Sequence, residues 1–590
     1  MIQRITEGEE AIRDRRVSDM RLFSFGKGDG GGGPEFEMLE YARRIRNLNG
    51  IARSEYTTVS DFMQRLEKSV QDPTVWAGEL YLELHRGTLT NQHEIKRGNR
   101  LLEIALHNLE ASEVMRAVHE GRVASGEEIR PLMNVLLVNQ FHDILPGTCI
   151  HAALKQSRHD VREAIDQSLS MTEKKLEGDV PVLMNALSMA CRDTLHLPDD
   201  VPGMEGVQCQ RYTDVFGEGR LSVHGLELKP MSATEVQKGQ AKEEECPFVL
   251  DGDRLLTPFA EVRFDSNGAI ASLIDRRVGR EIVGRLPFNS FLLAEDVPAD
   301  WDNWDLDADT EVRFVRSGTL KERSIVSMES VELVIRSTWE IGQHSILTQD
   351  MIFDAHIPLI SFETRLDWQE EHRFLKTAFD TTLQADGVRN EIQFGCIRRS
   401  NHRGTDLEKA RFEVCNHRYS DLSEGKYGIS IFNDCKYGIS ANEGCLALSL
   451  HKSGMRPDPQ GDKGIHDFRY AVYLHDAPYS EDVVEKAYAF NNPPFLVRNG
   501  MPLQSLVATD NPDIVIETVK PCEDAQKAYV IRLYEATGSY TSCHLNFGHP
   551  VRAMYLCNML EEEEQQITLD AQLVLPPFAI RTIKVAYGEA

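Results

Sequence analysis

Three short segments carry side chains with the types and spacing for chemistry. The run Asn139-Gln140-Phe141-His142-Asp143-Ile144-Leu145-Pro146-Gly147-Thr148 places an imidazole next to a carboxylate and close to two amides. A His beside an Asp can ligate a metal and hydrogen-bond a sugar hydroxyl from one loop. The same pair also fits a bland role, a helix-capping Asp beside a hydrogen-bonded His. The second segment, Asp300-Trp301-Asp302-Asn303-Trp304-Asp305, holds two of the five tryptophans together with three carboxylates. Trp301 and Trp304 offer flat faces for a pyranose, and Asp302 offers an acceptor for its hydroxyls; the alternative is a corner of a β-sandwich. In the third, Gly26-Lys27-Gly28-Asp29-Gly30-Gly31 nominally matches a dinucleotide fingerprint. Four consecutive glycines followed by Pro34 do not suit smooth entry into a phosphate-facing helix. A tight glycine turn, or backbone that approaches a substrate and presents Asp29, accounts for the run better.

Other standard chemistries are missing from the sequence. It contains no Gly-x-Ser-x-Gly, His-Glu-x-x-His or Gly-x-x-x-x-Gly-Lys-Ser/Thr, which removes the simple signatures of serine hydrolases, zincins and P-loop NTPases. Lys plus Arg number 65 against 93 for Asp plus Glu, a net charge of −28 that repels polyphosphate and disfavours nucleic acid as a partner. Eleven cysteines without a Cys-x-x-Cys pair read as reduced thiols of a cytoplasmic protein. The first ten residues lack the apolar core of a signal peptide, and no uninterrupted apolar run is long enough to span a membrane.

The elements that must position these segments are readable in outline. At 590 residues the chain should hold three or more domains. Met20 to Phe25 has the apolar character of a short buried strand, followed by a glycine loop and a helical pattern at Met38, Leu39, Ala42 and Ile45. From Val59 to Glu177 the pattern is helical, and Leu154, Val161, Ile165 and Leu169 mark one stripe of about three packed helices. After Gly178 strand patterns dominate: Val331, Leu333, Ile335 and Trp339 alternate with Glu332, Val334, Arg336 and Thr338, and Tyr529, Ile531 and Leu533 repeat the pattern. The last 400 or so residues therefore read as all-β, in more than one sandwich, with Gln237 to Glu245 as a charged linker.

In order along nearly the whole chain, these segments resemble glycoside hydrolase family 38, the zinc-dependent retaining α-mannosidases, in its cytosolic and bacterial branch. The resemblance rests on Phe25 to Pro34, Trp76 to Thr88 and His142 to Gly147, then on Trp301 to Asp305, Arg411 to Val414, Asp421 to Glu424, Asn433 to Gly438 and Pro457 to Pro459. It implies a multidomain α+β chain: a remnant of an α/β catalytic barrel at 1–75, a three-helix middle domain at 76–178, and a small β domain with linker at 179–245. A large mutarotase-like β-sandwich at 246–505 and a C-terminal β domain at 506–590 would follow. It further implies a single zinc ion with His142 as one ligand, Asp143 and Asp29 lining the sugar site, and Asp72 or Glu79 as acid/base. The family's zinc-binding His-x-Asp pair and its nucleophilic Asp have no counterpart, since none of the 19 histidines is followed two residues later by Asp. The expectation is thus an incomplete site for terminal α-linked mannose, in a truncated or split enzyme with little or no activity alone, whose partners are a homo-oligomer or a separate chain supplying the barrel. The alternative is a non-catalytic carbohydrate-binding or scaffold protein.

Overall fold

The computed structural model describes residues 2–12, 15, 17–28, 31–524 and 526–588. The chain divides into two compact bodies, Met1–Leu80 and Tyr81–Ala590. The described residues of the first body form three helices, α1 (Ile2–Glu10), α2 (Phe36–Ile45) and α3 (Val59–Ser69), the last capped by the Thr58 hydroxyl, which accepts from the Asp61 N–H. No strand forms at Met20–Phe25. A strand exists only through ladder hydrogen bonds to a neighbour, and among the described residues the first strand of the chain begins at Glu177. The barrel remnant expected from the sequence is therefore purely helical here.

In the second body, α4 (His93–Glu120), α5 (Arg130–Asn139) and α6 (His151–Lys175) form the expected three-helix unit. Leu102, Leu106 and Leu109, spaced four and three apart, face Leu132, Leu136 and Val161. Gly98 permits this close approach, because a Cβ there would sit 2.9 Å from Val161 Cγ1. The next turns of α4, at Val114, Met115 and Ala117, enter a second core built from the C-terminal sheet. One helix thus joins the helical unit to the β region.

The large sandwich packs a nine-stranded antiparallel sheet, with Glu332–Ile341, Ser345–Asp354, Leu359–Trp368 and Gly464–His475 side by side, against a six-stranded sheet centred on Arg373–Asp380 and Cys445–Lys452. Phe362 and Tyr470 of the first sheet meet Phe379 of the second at 5.9 and 6.2 Å between ring centroids. The alternation in Glu332–Ile341 predicts one wet face, yet Glu332 and Val334 are as buried as Leu333 and Ile335. The cause is a small sheet of Leu195–Pro198, Gly219–His224 and Gln208–Thr213, whose Tyr212 packs on Val334 and whose Ser222 and His196 bind Glu332.

Two further features depart from the sequence reading. The helix Glu481–Asn491 interrupts the all-β region, capped by Ser480 and burying Val483, Val484, Ala487 and Tyr488 on one face. Phe495–Gly500, within the 246–505 segment, leaves the large sandwich and pairs with Glu177–Asn185. The chain ends in a five-stranded sheet that includes Ile514–Pro521, Ala528–Glu535 and Ile580–Tyr587. No helix among the described residues is long and apolar enough to cross a membrane.

Candidate functional site

The loop between α5 and α6 presents its imidazole outward. The His142 side chain is 73% exposed, lies with its ring centroid 4.1 Å from that of Phe141 at a 38° tilt, and has Nε2 3.6 Å from Asp143 Oδ2. Asp143 is fixed from the same loop: its carbonyl accepts from the Thr148 N–H at 3.0 Å, and its Oδ1 accepts from the Thr148 hydroxyl at 3.2 Å. The loop closes at Gly147, which has φ +75.

Beneath the loop lies a set of buried polar side chains that sequence reading missed. The Asn303 amide donates to the Gly147 carbonyl at 3.1 Å, and the Asn91 amide donates to the Asn303 carbonyl. Lys96 Nζ donates to the carbonyls of Asn91 and Leu145, at 2.6 and 3.1 Å. Burial pushes its ammonium down to about 7. Asn303 lies in the tryptophan cluster, so the structure brings two of the three sequence-predicted segments together. It does so through a residue whose role no local pattern marks.

The same contacts reassign most of the tryptophan cluster. Asp302 Oδ2 accepts from the Met455 N–H at 2.7 Å, and its carbonyl accepts from Lys452 Nζ at 2.8 Å. Trp304 packs 4.9 Å from the His85 ring, and Asp305 Oδ1 accepts from the His85 N–H at 2.9 Å. Asp302 and Trp304 are thus engaged within the protein, as a sandwich corner requires. Trp301, with φ 56, is 67% exposed.

The remaining candidates belong to the first body. Asp72 is exposed with φ 48, whereas Glu79 is half-buried and its carbonyl accepts from the Trp76 indole at 3.1 Å. Asp29 lies outside the described residues.

One imidazole and one adjacent carboxylate fall short of the three protein ligands of a catalytic zinc, so the His142 loop does not by itself fit the ion that the resemblance implies. Denser donor groups occur elsewhere, at His93, Glu94 and His466 and at His451, Asp462 and His466. Some of their atoms already serve the fold: His93 Nδ1 lies 2.7 Å from Lys436 Nζ, and His466 Nε2 lies 2.8 Å from the Asp462 carbonyl. Burial pushes His93 and His451 well below the usual imidazole range. His93 lies over 350 residues before His451 and His466, which is why no spacing rule finds the first group.

The loop geometry has a direct test. A Cβ on Gly147 would stand 2.6 Å from Asn91 Oδ1 and 2.7 Å from Gln92 Cβ, on top of the left-handed strain. Gly147→Ala is therefore expected to cost about 1–3 kcal/mol in urea unfolding. Gly206→Ala, with φ +71 and open space around its Cβ, isolates the strain and should cost clearly less. Equal losses would show that the packing beneath the loop contributes nothing.

Four sequence families describe successive parts of this architecture. The glycosyl hydrolases family 38 N-terminal domain matches residues 3–79 and the alpha mannosidase middle domain residues 83–178. The family 38 C-terminal domain matches 255–460, and the family 38 C-terminal beta sandwich domain matches 513–583. The chain is 32% identical over 577 residues to alpha-mannosidase 2C1 of Homo sapiens, covering 94% of this chain and 54% of that protein. It is 28% identical over 581 residues to an alpha-mannosidase of Saccharomyces cerevisiae, covering 89% and 50% respectively. The chain therefore spans about half the length of these curated relatives. An alpha-mannosidase structure from Enterococcus faecalis V583 shares the fold with a TM-score of 0.76 at 15% identity, over 94% of this chain and 75% of that one. With a three-helix unit that carries an exposed His142 and feeds into two β-sandwiches, and with its domain matches in this order, the chain belongs to glycosyl hydrolase family 38.

Proposed function

We propose that this chain is an α-mannosidase component acting on terminal α-linked mannose, in which the α5–α6 loop contributes His142 as one zinc ligand and Asp143 as an acceptor for a mannose hydroxyl. The observation that carries the reading is the exposed His142–Asp143 pair on a loop buttressed from below by Asn303, Asn91 and Lys96. A pair kept for stability would be expected inside; this one is rigid at its base and open at its tip. Because its donors fall short of a zinc site, no catalytic step is assigned to the metal in this chain. Retaining hydrolysis also needs a nucleophile and a proton donor about 5–5.5 Å apart. Asp72 and Glu79 remain the proposed acid/base candidates and Asp29 a sugar-lining carboxylate, all on resemblance. The missing donors would come from a separate chain that supplies the barrel, in the cytoplasm, where the eleven free cysteines would remain reduced.

The expected result is negligible release of nitrophenol from a nitrophenyl α-mannoside by the purified chain, with zinc or with chelator. Turnover should appear on mixing with a chain that carries a His-x-Asp pair and a carboxylate nucleophile, and should be lost in His142→Ala. Zinc-dependent turnover by the chain alone would overturn the incompleteness and keep the mannosidase. The exposed Trp301 ring favours a second reading, a non-catalytic carbohydrate binder. Zinc-independent mannose binding lost in Trp301→Ala, without turnover in any mixture, would select it.

A further inference from the structure

A cavity of about 520 Å³ lies between the small sheet, the nine-stranded sheet and the helix Glu481–Asn491. None of its lining residues belongs to the His142 loop or the tryptophan cluster. Its volume is that of a site for a small organic ligand.

The charges around it do not balance. Six carboxylates line the cavity against three side chains of fixed positive charge. The Arg220 guanidinium serves two carboxylates at once, Asp214 at 2.6 Å and Glu363 at 2.7 Å. Lys486 is taken up by Asp193. Asp354 accepts from the backbone N–H groups of His356 and Ile357 at 2.6 and 3.0 Å, and among the described residues it has no salt bridge. Glu363 is 2% exposed, and its second oxygen has no hydrogen-bond partner. A buried carboxylate oxygen in that state is costly unless a donor or a positive charge reaches its surroundings.

The apolar lining has matching chemistry. Phe432 stacks on Tyr473 at 5.7 Å with 22° between ring planes and touches Phe490 at 6.1 Å, and all three line the cavity. Ring faces and an excess of carboxylates around one cavity attract a cation twice over, through the ring quadrupole and through direct charge. An anionic ligand would meet the excess carboxylates, and a neutral apolar one would leave Asp354 without a countercharge and the second Glu363 oxygen without a partner.

We propose that this cavity binds an organic cation, a protonated or quaternary amine that carries an apolar group. The ammonium sits toward the Glu363 oxygen that lacks a partner, and the apolar group fills the space beside Phe432, Tyr473 and Phe490. The site is independent of the α-mannoside reading and goes beyond it. Burial and the neighbouring Glu332 carboxylate push the Asp354 carboxyl up to about 7, as expected where negative charge lacks a partner.

The test is calorimetric titration of the full chain with benzyltrimethylammonium and, as a neutral match, benzyl alcohol. The cation should bind at least about tenfold more tightly than the alcohol. Glu363→Gln keeps the shape and removes the charge, and should weaken the cation about tenfold or more without affecting the alcohol. Ala489→Trp, at a half-exposed lining position on the helix, fills the cavity without removing a contact and should abolish binding of both. Each variant is scored only if it unfolds with the cooperativity of the parent, and Ala489→Trp keeps the test decisive if Glu363→Gln fails to fold. No binding at about 10 mM cation, equal binding of cation and alcohol, or cation binding that survives Ala489→Trp would each overturn the proposal.

Discussion

Replacing Lys452 by methionine is expected to lower the stability of the protein by about 3–5 kcal/mol. Lys452 and Asp296 form an ion pair at 2.7 Å, and both side chains are fully buried. Methionine reproduces the aliphatic stem but leaves Asp296 buried without its countercharge. Desolvation already holds the Asp296 carboxyl above the usual carboxylate range, with Lys452 as its largest counterweight. The double variant Lys452→Met with Asp296→Leu should recover most of the loss, because it removes the uncompensated charge as well. A second consequence is local. Lys452 Nζ also donates to the Asp302 carbonyl, so the single variant should loosen the turn that carries Trp301 and Asn303. Urea unfolding measures the first effect and amide hydrogen exchange at Trp301 to Asp305 the second. A loss below about 1 kcal/mol would mean that the pair is not dry enough for its charges to matter.

Asp354→Asn is expected to flatten the pH dependence of stability between about pH 4 and 7. The folded carboxyl titrates at about 7, against 3.8 as the ordinary value. Burial is the main cause, followed by the Glu332 carboxylate; hydrogen bonds from Thr194 and the backbone N–H groups of His356 and Ile357 oppose it. The sign follows from proton counting. Below the unfolded value both states are protonated, and the group costs nothing extra. Between the two values the folded protein holds a proton that the unfolded chain has released, so stability falls as pH rises. Above about 7 both states are ionised and the full penalty remains, on the order of 4 kcal/mol. Asparagine keeps the carbonyl-type acceptor for the two N–H groups and cannot ionise. The variant should therefore be more stable than the parent at pH 8 and closely similar at pH 4. Parallel stability curves for parent and variant across this range would refute the assignment.

How much of the site was legible depended on the reach of each interaction. His142 and Asp143 stand out because they are adjacent in a loop between helical patterns, and their mutual geometry is local. What supports them is not. Asn303 reaches Gly147 across 156 residues, and Lys452 reaches Asp302 across 150. Composition made the tryptophan cluster conspicuous, and it had two readings, ligand surface or sandwich corner. Tertiary contacts split them residue by residue, with Asp302 and Trp304 engaged internally and Trp301 left outside.

By itself the sequence determined what periodicity between near neighbours can carry, the helical segment that forms α4, α5 and α6 and the strand character after Gly178. It also determined the family, and that no His-x-Asp pair exists to complete a zinc site. Only the tertiary structure decided that Met20–Phe25 lacks a strand partner and that the second face of Glu332–Ile341 is covered at Glu332 and Val334. It alone placed six carboxylates and three aromatic rings around one cavity. The physical reason is common to all of these: a helix or a strand pattern is written in local spacing, whereas burial, charge balance and strand pairing depend on which distant segments meet.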